Sequence, residues 1–420
     1  MEEYRVRIEL LEPVCIATQR GVGNVIPTLD YIPGSSLRGA LALLWLEEFG
    51  STTSAGVYEI PTNAKQSEFD RLFNSDDIVF GNCYIGDARP IPMTAMTCKH
   101  NKGFDRRKGQ HGVLNTLFRD TNACLDPTFN GFNLNCRVCE NVGILDRLEG
   151  FYLHNGSFVQ VKIRKRLIAR TRVSEFLDTS HHGSFYIRLA LEAKQVFEGK
   201  MKLHNAEDAS ILSGLLSQRE NVLHIGASKS RSTGRVRISI NKFKPSWPDE
   251  SDLRQRLRNL HLNFDALPGC MWLLTAVSDT IIQDPYFRFK SQVTISDITQ
   301  AVTNYAENAG LAEAERIPMH NILSQFDLLR GWASITQTAG WQAAWQLPKF
   351  QQTAIAAGSV FLFYCRKPPD ISPEPGTGKS AEDSLLGALA LLEQNGLGER
   401  RNEGFGQIKI CDRFHWQEDM

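Results

Sequence analysis

Leu223-His-Ile-Gly-Ala-Ser-Lys-Ser-Arg-Ser-Thr-Gly-Arg-Val-Arg237 decides the reading of this chain, because its plan returns near the other end as Gly396-Leu-Gly-Glu-Arg-Arg-Asn-Glu-Gly-Phe-Gly406. A helical pattern precedes each glycine-rich stretch, at 206–218 and at 380–394, and a strand pattern follows each, at 235–240 and at 407–411. Each half also opens on a strand pattern, at 4–11 and at 271–277. Helix, glycine-rich loop and closing strand in that order, twice, predict two copies of one α+β unit. The first spans 1–245 and the second 255–420, joined through a polar, proline-containing segment at 244–252. Strands around helices within each half follow the βαββαβ plan of a ferredoxin-like fold.

The chain has 420 residues, 42% hydrophobic and 22% charged, which fits a globular protein of two or three cores. It contains no apolar run of about 18 residues, and Met1-Glu-Glu-Tyr-Arg is not a signal pattern, so a cytoplasmic protein without a membrane partner is expected. The 47 basic and 47 acidic residues cancel, and any case for nucleic acid must rest on local clusters. Three stand out: Lys162-Ile-Arg-Lys-Arg166 with Arg170 and Arg172, the run from Lys229 to Arg237, and Arg400-Arg401.

The first copy is interrupted by a polar insertion at about 52–149, too long for a structureless loop. It carries Cys98, Cys124, Cys136 and Cys139. The C-x-x-C bite of Cys136 and Cys139 lets two thiolates share one tetrahedral ion, so a structural zinc is expected, with His111 as an alternative fourth ligand. Nine scattered cysteines in a cytosolic chain otherwise argue against a disulfide framework.

Tyr31-Ile-Pro-Gly-Ser-Ser-Leu-Arg-Gly-Ala-Leu-Ala42 reads as a turn into a helix with a serine as N-cap and Leu37, Leu41 and Leu44 as its buried stripe. Backbone N–H groups at such a start, with Ser35, Ser36 and Arg38, suit phosphate. In the first loop, glycines admit close approach of a backbone while Lys229, Ser230, Arg231 and Arg235 supply phosphate donors. In the second loop Arg400 and Arg401 take that part, and Phe405 either stacks on a base or anchors the loop. Gly376-Thr-Gly-Lys-Ser380 imitates the end of a phosphate-binding loop, but Pro373 stands where its first glycine belongs. No nucleotide cofactor is expected, and Ser380 reads as a helix cap.

The Ile-Pro-Gly-Ser-Ser-Leu-Arg-Gly turn and the two glycine-rich loops, in this order and spacing, resemble the CRISPR RAMP superfamily. The likeness extends over nearly the whole chain and is greatest to the cyanobacterial-type RAMP of type III-D effector complexes. That resemblance implies a subunit of an antiviral complex that grips the repeat-derived 5' tag of CRISPR guide RNA. It also implies docking beside other RAMP subunits and the large polymerase-like subunit. The RNA contacts would be Ser35, Ser36, Arg38, Arg170, Arg172, Lys229, Ser230, Arg231, Arg235, Arg400, Arg401 and Phe405, and the subunit itself would not be catalytic. Two enzyme readings stand beside this one. Relatives that process precursor RNA as metal-independent endoribonucleases use a histidine near the first helix, and here the first 99 residues contain none. Backbone relatives that cleave target RNA use an aspartate before the Pro-Gly-Ser-Ser turn, where Asp30 is the candidate. His181 and His182, in a polar turn, are the remaining acid–base candidates.

Overall fold

A computed structural model describes residues 2–17, 25–54, 57–62, 64–125, 135–139, 143–154, 156–171, 185–227, 232–242, 252–262, 270–342, 347–366 and 380–420. The chain begins with β1 (Glu2–Leu10), where Tyr4, Val6, Ile8 and Leu10 are buried and the polar residues between them point away, the period of two that a half-buried strand requires. Helix α1 (Gly34–Phe49) follows and buries Leu37, Leu41, Leu44 and Trp45. Next come β2 (Val79–Phe80), a ribbon of β3 (Lys165–Arg170) and β4 (Tyr186–Leu191) with residues 25–26 added in parallel along β4, and β5 (Val196–Leu203). The unit closes with α2 (Ala206–Gln218), β6 (Val222–His224) and β7 (Arg235–Lys242). Asn205 caps α2, its side chain accepting from the Asp208 N–H.

In space the strands run β6-β7-β1-β5-β2, antiparallel throughout. With the short strand β6 set aside, the unit's first strand lies between its third, β5, and its fourth, β7, as in a ferredoxin-like sheet.

Helix α3 (Leu253–His261) leads into the second half. There β8 (Cys270–Ala276) is followed by α4 (Ile295–Asn308), α5 (Glu313–Leu323), β9 (Asp327–Trp332), β10 (Val360–Cys365), α6 (Ala381–Asn395) and β11 (Ile408–Ile410). Its sheet order, β9-β10-β8-β11, repeats the arrangement of the first. Every residue of β8 from Met271 to Ala276 is buried, so the strand shows no alternation. Leu253, Leu257 and Leu260 of α3 belong to the same core, as do Leu117 and Phe118 from the insertion. Ser380 caps α6 in a capping box with Asp383.

The duplication extends to single hydrogen bonds. Ile225 N–H donates to the Gly234 carbonyl and Leu397 N–H to that of Gly406, both at 2.8 Å. Ala227 N–H reaches the Cys15 carbonyl and Glu399 N–H the Ile281 carbonyl, both at 2.9 Å. Gly234 N–H donates to Pro13 and Gly406 N–H to Asp279, at 2.9 and 2.8 Å. Each loop is thus fastened to the segment that follows its unit's first strand. At Gly226 and Gly398 φ is +85° and +86°, and a Cβ would lie 2.4 and 2.1 Å from the Cys15 and Ile281 carbonyl oxygens. These two glycines admit the protein's own backbone, not a ligand's.

The insertion does not close on itself. Its strand 95–98 pairs with 113–115 and 145–147, and its strand 151–154 pairs with 158–161 and 89–90. The small core these enclose, including Val113, Tyr152 and Phe158, gathers around Phe414 from the far end of the chain. Val113 and Met420 exchange two backbone hydrogen bonds of 2.9 Å. Arg89 and Tyr152 both bind Asp412, at 2.8 and 2.7 Å. Burial opposes charge on Asp412, but Arg89 and the Phe414 N–H hold its carboxyl well below the usual range. His415 beside it is buried, which pushes its imidazole down to about 4.

Gly398→Ala must displace the Ile281 carbonyl and hold an L-residue at positive φ, so it is expected to cost about 1–3 kcal/mol or more. Gly39 lies exposed inside α1 with nothing within 4 Å of its missing Cβ, and Gly39→Ala is expected to stabilise by about 0.5–1 kcal/mol. Thermal unfolding of the two variants should move the melting temperature in opposite directions.

Candidate nucleic-acid interface and metal centre

The β3–β4 ribbon carries a basic face. Its register sets Arg166 opposite Ala190, Ile168 opposite Arg188, and Arg170 opposite Tyr186. Because alternate residues of a strand share a face, Arg166, Arg170, Arg188 and Tyr186 all project to the same side. The Arg188 guanidinium lies 5.2 Å from the centre of the Tyr186 ring, a cation over an aromatic face. On the other side Lys165 pairs with Asp30.

This ribbon and the first glycine loop share one spine. Val14 exchanges backbone hydrogen bonds of 3.0 and 2.8 Å with Leu191 of β4, and the next residue, Cys15, accepts the Ala227 N–H of the loop. Arg188 sits near enough to Cys15 to oppose the upward shift that burial imposes on that thiol. Arg235, just after the loop, is exposed, and Arg237 is exposed but paired with Glu9 at 3.1 Å. Lys229, Ser230 and Arg231, which the sequence assigns to phosphate, lie outside the described residues, as do Arg172, His181 and His182.

The second loop has a different environment. It packs against the start of α1, where a Cβ on Gly34 would overlap the Phe80 carbonyl and approach that of Glu403. The helix starts at Gly34, with Pro33 rather than a serine in the cap position. The Gly34 N–H is satisfied instead by the Asn82 side chain at 2.9 Å, leaving Ser35 and Ser36 half-buried in the first turn. Arg38 donates to the Phe73 carbonyl at 2.7 Å and to Asn74 at 2.9 Å.

Glu403 is the hub of this region. Arg400 and Lys349 each donate to it at 2.6 Å, and Arg38 comes within 3.7 Å. Burial alone would favour the neutral acid, but Arg400 and Lys349 outweigh it and hold the carboxyl below the ordinary glutamate range. Arg400 also donates to Gln352 at 2.8 Å and lies 4.7 Å over the half-buried Phe405 ring. Arg401 donates to the Asn395 carbonyl and rests 4.9 Å over Tyr305. Arg400 and Arg401 are therefore already engaged within the second half, and Arg38 reaches across from the first half to Glu403. Composition does not distinguish the two loops, but the acid at Glu403, with no counterpart in the first loop, is a legible difference. Arg188, Tyr186 and Lys349 escape a sequence reading because only strand register and tertiary packing bring them to these places.

In the insertion, Cys98, His111, Cys136 and Cys139 present four ligand atoms that all lie within 4.8 Å of one another. The Cys98 and Cys139 sulfurs are 3.7 Å apart, and His111 Nδ1 is 3.4 and 3.3 Å from those of Cys136 and Cys139. These separations fit the edges of a tetrahedron that would hold an ion through metal–sulfur bonds of about 2.3 Å and a metal–nitrogen bond of about 2.0–2.1 Å. The Asn101 amide lies 3.0 Å from His111 Nε2 and orients the ring. Cys124 sits apart from this group, exposed on the helix Leu117–Leu125, where its sulfur accepts from Arg330 at 3.5 Å. His111 takes the fourth position because the loop that carries it turns back beside Asn101, whose carbonyl accepts the His111 N–H at 3.0 Å.

A family model described as the RAMP superfamily matches residues 7–237. No curated protein matches the chain. Among solved structures, the chain is similar to a subunit of the type III-B Cmr-beta complex bound to cognate target RNA and AMPPnP, with 14% identity, 85% of this chain and 86% of that one covered, and a TM-score of 0.39. It is also similar to a Cas6 product complex, at 9% identity, 98% and 100% coverage and a TM-score of 0.40. A third is Thermus thermophilus Cas6, at 9% identity, 51% and 74% coverage and a TM-score of 0.27. Similarities at these TM-scores do not say what this chain does.

Chelation of the purified chain should release one divalent ion per molecule and lower its melting temperature. Cys136→Ser or His111→Ala should reproduce both effects, and Cys124→Ser should produce neither.

Proposed function

The chain belongs to the RAMP superfamily, and on that premise we propose that it is an RNA-binding subunit of a type III CRISPR interference complex. The observation that carries this reading is the basic ribbon face of Arg166, Arg170 and Arg188 around Tyr186, on the same 13–15 segment that holds the first glycine loop at Ala227 and Gly234. Phosphate donors beside an aromatic ring suit single-stranded RNA, whose backbone gives affinity while unstacked bases lie on the ring. The strand gripped is the repeat-derived 5' tag of guide RNA, within a complex of the type III-D kind that its motifs resemble. Its protein partners are other RAMP subunits and the large polymerase-like subunit.

Within this reading Arg231, Arg235 and the ribbon arginines contact phosphates and fix the register of the tag. Arg38, Arg400 and Arg401 act one step back, by fixing the second loop against α1. The ion at Cys98, His111, Cys136 and Cys139 is zinc and structural, since three thiolates and an imidazole leave no open position for chemistry. Asp30 is held by Lys165 and packs rather than cleaves.

A filter-binding titration of repeat-containing RNA over a range of salt, with a denaturing gel alongside, tests the proposal. Wild type should bind intact RNA, and Arg188→Ala and Arg235→Ala should each weaken binding and reduce the slope of log affinity against log salt by about 0.7. Arg400→Ala should chiefly lower the melting temperature and leave that slope unchanged. Arg188→Ala and Arg235→Ala variants that bind like wild type would remove the interface from this place, and discrete cleavage without added metal would favour a precursor-processing endoribonuclease.

A further inference from the structure

A cavity of about 460 Å³ opens between the insertion and the C-terminal segment, lined by Phe104, His154, Phe158, Arg413, Trp416 and Gln417. Its size falls within the range of about 300–1,000 Å³ typical of small-ligand pockets. Phe104 and Phe158 at its base belong to the buried core around Phe414, while Arg413 and Trp416 are partly exposed. The Phe104 and Phe158 rings stack at 6.0 Å, and His154 meets Phe158 edge-on at 4.7 Å. Trp416 is pinned by its indole N–H, which donates to the Cys411 carbonyl at 3.3 Å, and the Arg413 guanidinium lies 5.4 Å over its ring. Arg413 forms no ion pair among the described residues.

The approach to this cavity is basic. Lys99, Lys102, Arg106, Arg107 and Lys108 face a single acid, Asp105, within ten residues of chain, and Phe104 of the same stretch is part of the cavity wall. Arg106 pairs with Asp419, a second wall residue, so the ridge and the cavity are continuous. Lys102 and Lys108 are paired with Asp146 and Asp105, while Lys99 and Arg107 are exposed with no ion pair among the described residues.

We propose that this cavity receives one unstacked nucleobase of a bound single-stranded RNA, with Trp416 and Arg413 as its stacking surface and the 99–108 ridge as the track for the adjoining phosphates. The inference rests on the reading of the chain as RNA-binding, but it sets a second contact far along the sequence from the first glycine loop. A flat aromatic slot with a guanidinium at its rim suits a nucleobase, which is planar and has a polarisable face. Of the five cations on the ridge, Lys99 and Arg107 have no ion pair among the described residues and are the phosphate contacts it offers to an adjoining strand. An apolar ligand would have no use for Arg413 or the ridge. His154 and Gln417 supply hydrogen-bonding groups to the polar edge of the base.

The test uses the full chain with repeat-containing RNA carrying 4-thiouridine, photo-crosslinked and mapped by mass spectrometry, together with affinity measurements at fixed salt. Crosslinks to residues 413–420 or 99–110 are expected, with a loss of roughly tenfold in affinity for Trp416→Leu and for Arg413→Ala, the order of one base–aromatic stack. Arg413 lies outside the small core around Phe414, so Arg413→Ala keeps the test valid even if Trp416→Leu impairs folding. RNA that binds wild type in an Arg235-dependent way, yet neither crosslinks there nor responds to Arg413→Ala, overturns this inference and leaves the first interface standing. Wild type that binds no RNA at all overturns both.

Discussion

Two hydrogen bonds of 2.9 Å, from Ala227 N–H to the Cys15 carbonyl and from Glu399 N–H to the Ile281 carbonyl, set the form of this molecule. Each can be made only because the preceding residue is a glycine at positive φ, where a Cβ would collide with the carbonyl that the bond approaches. Each bond fastens a glycine-rich loop to the segment that follows its unit's first strand. In the first half residues 13–15 bind both the ends of the loop, at Ala227 and Gly234, and the β4 strand at Leu191. In the second half it is pressed onto the start of α1.

The same loop plan has thus been put to two uses, and electrostatics separates them. Glu403 draws in Arg400, Lys349 and Arg38, and a buried carboxylate with three cationic neighbours is costly to expose or to leave unpaired. The second loop is closed by its own counter-charge. The first loop has no acid between Gly226 and Gly234, so its cations have no partner within the loop itself. On the proposed reading, a phosphate backbone would supply what that loop lacks. The insertion follows a similar rule. Its core around Phe414 is too small to stand alone, and the Cys3His group and the C-terminal segment close it from two sides.

The fold was largely legible in the sequence because its signals are local. The alternation in β1, the helix before each loop and the spacing of the glycines all survive as written, and the αβ order of each half emerges as a sheet with its first strand between the third and fourth. The site was less legible because its determinants are tertiary. An arginine in a glycine-rich loop does not show in sequence whether it will fold onto a neighbouring acid as Arg400 does onto Glu403, and a cap serine looks the same until Pro33 and Asn82 take over its task. The choice between Cys124 and His111 likewise depends on where a helix and a turn come to rest, which the C-x-x-C spacing does not specify. The role of residues 412–420 as part of the insertion's core could not be read from either segment alone.

Hydrogen–deuterium exchange on the free chain and on the chain with repeat-containing RNA tests most directly whether the two loops differ as described. The account predicts that amides in 396–406 are already slow to exchange without RNA and change little when it is added, while those in 226–237 and 165–191 become markedly slower. Protection by RNA concentrated in 396–406, with 226–237 unaffected, would contradict it.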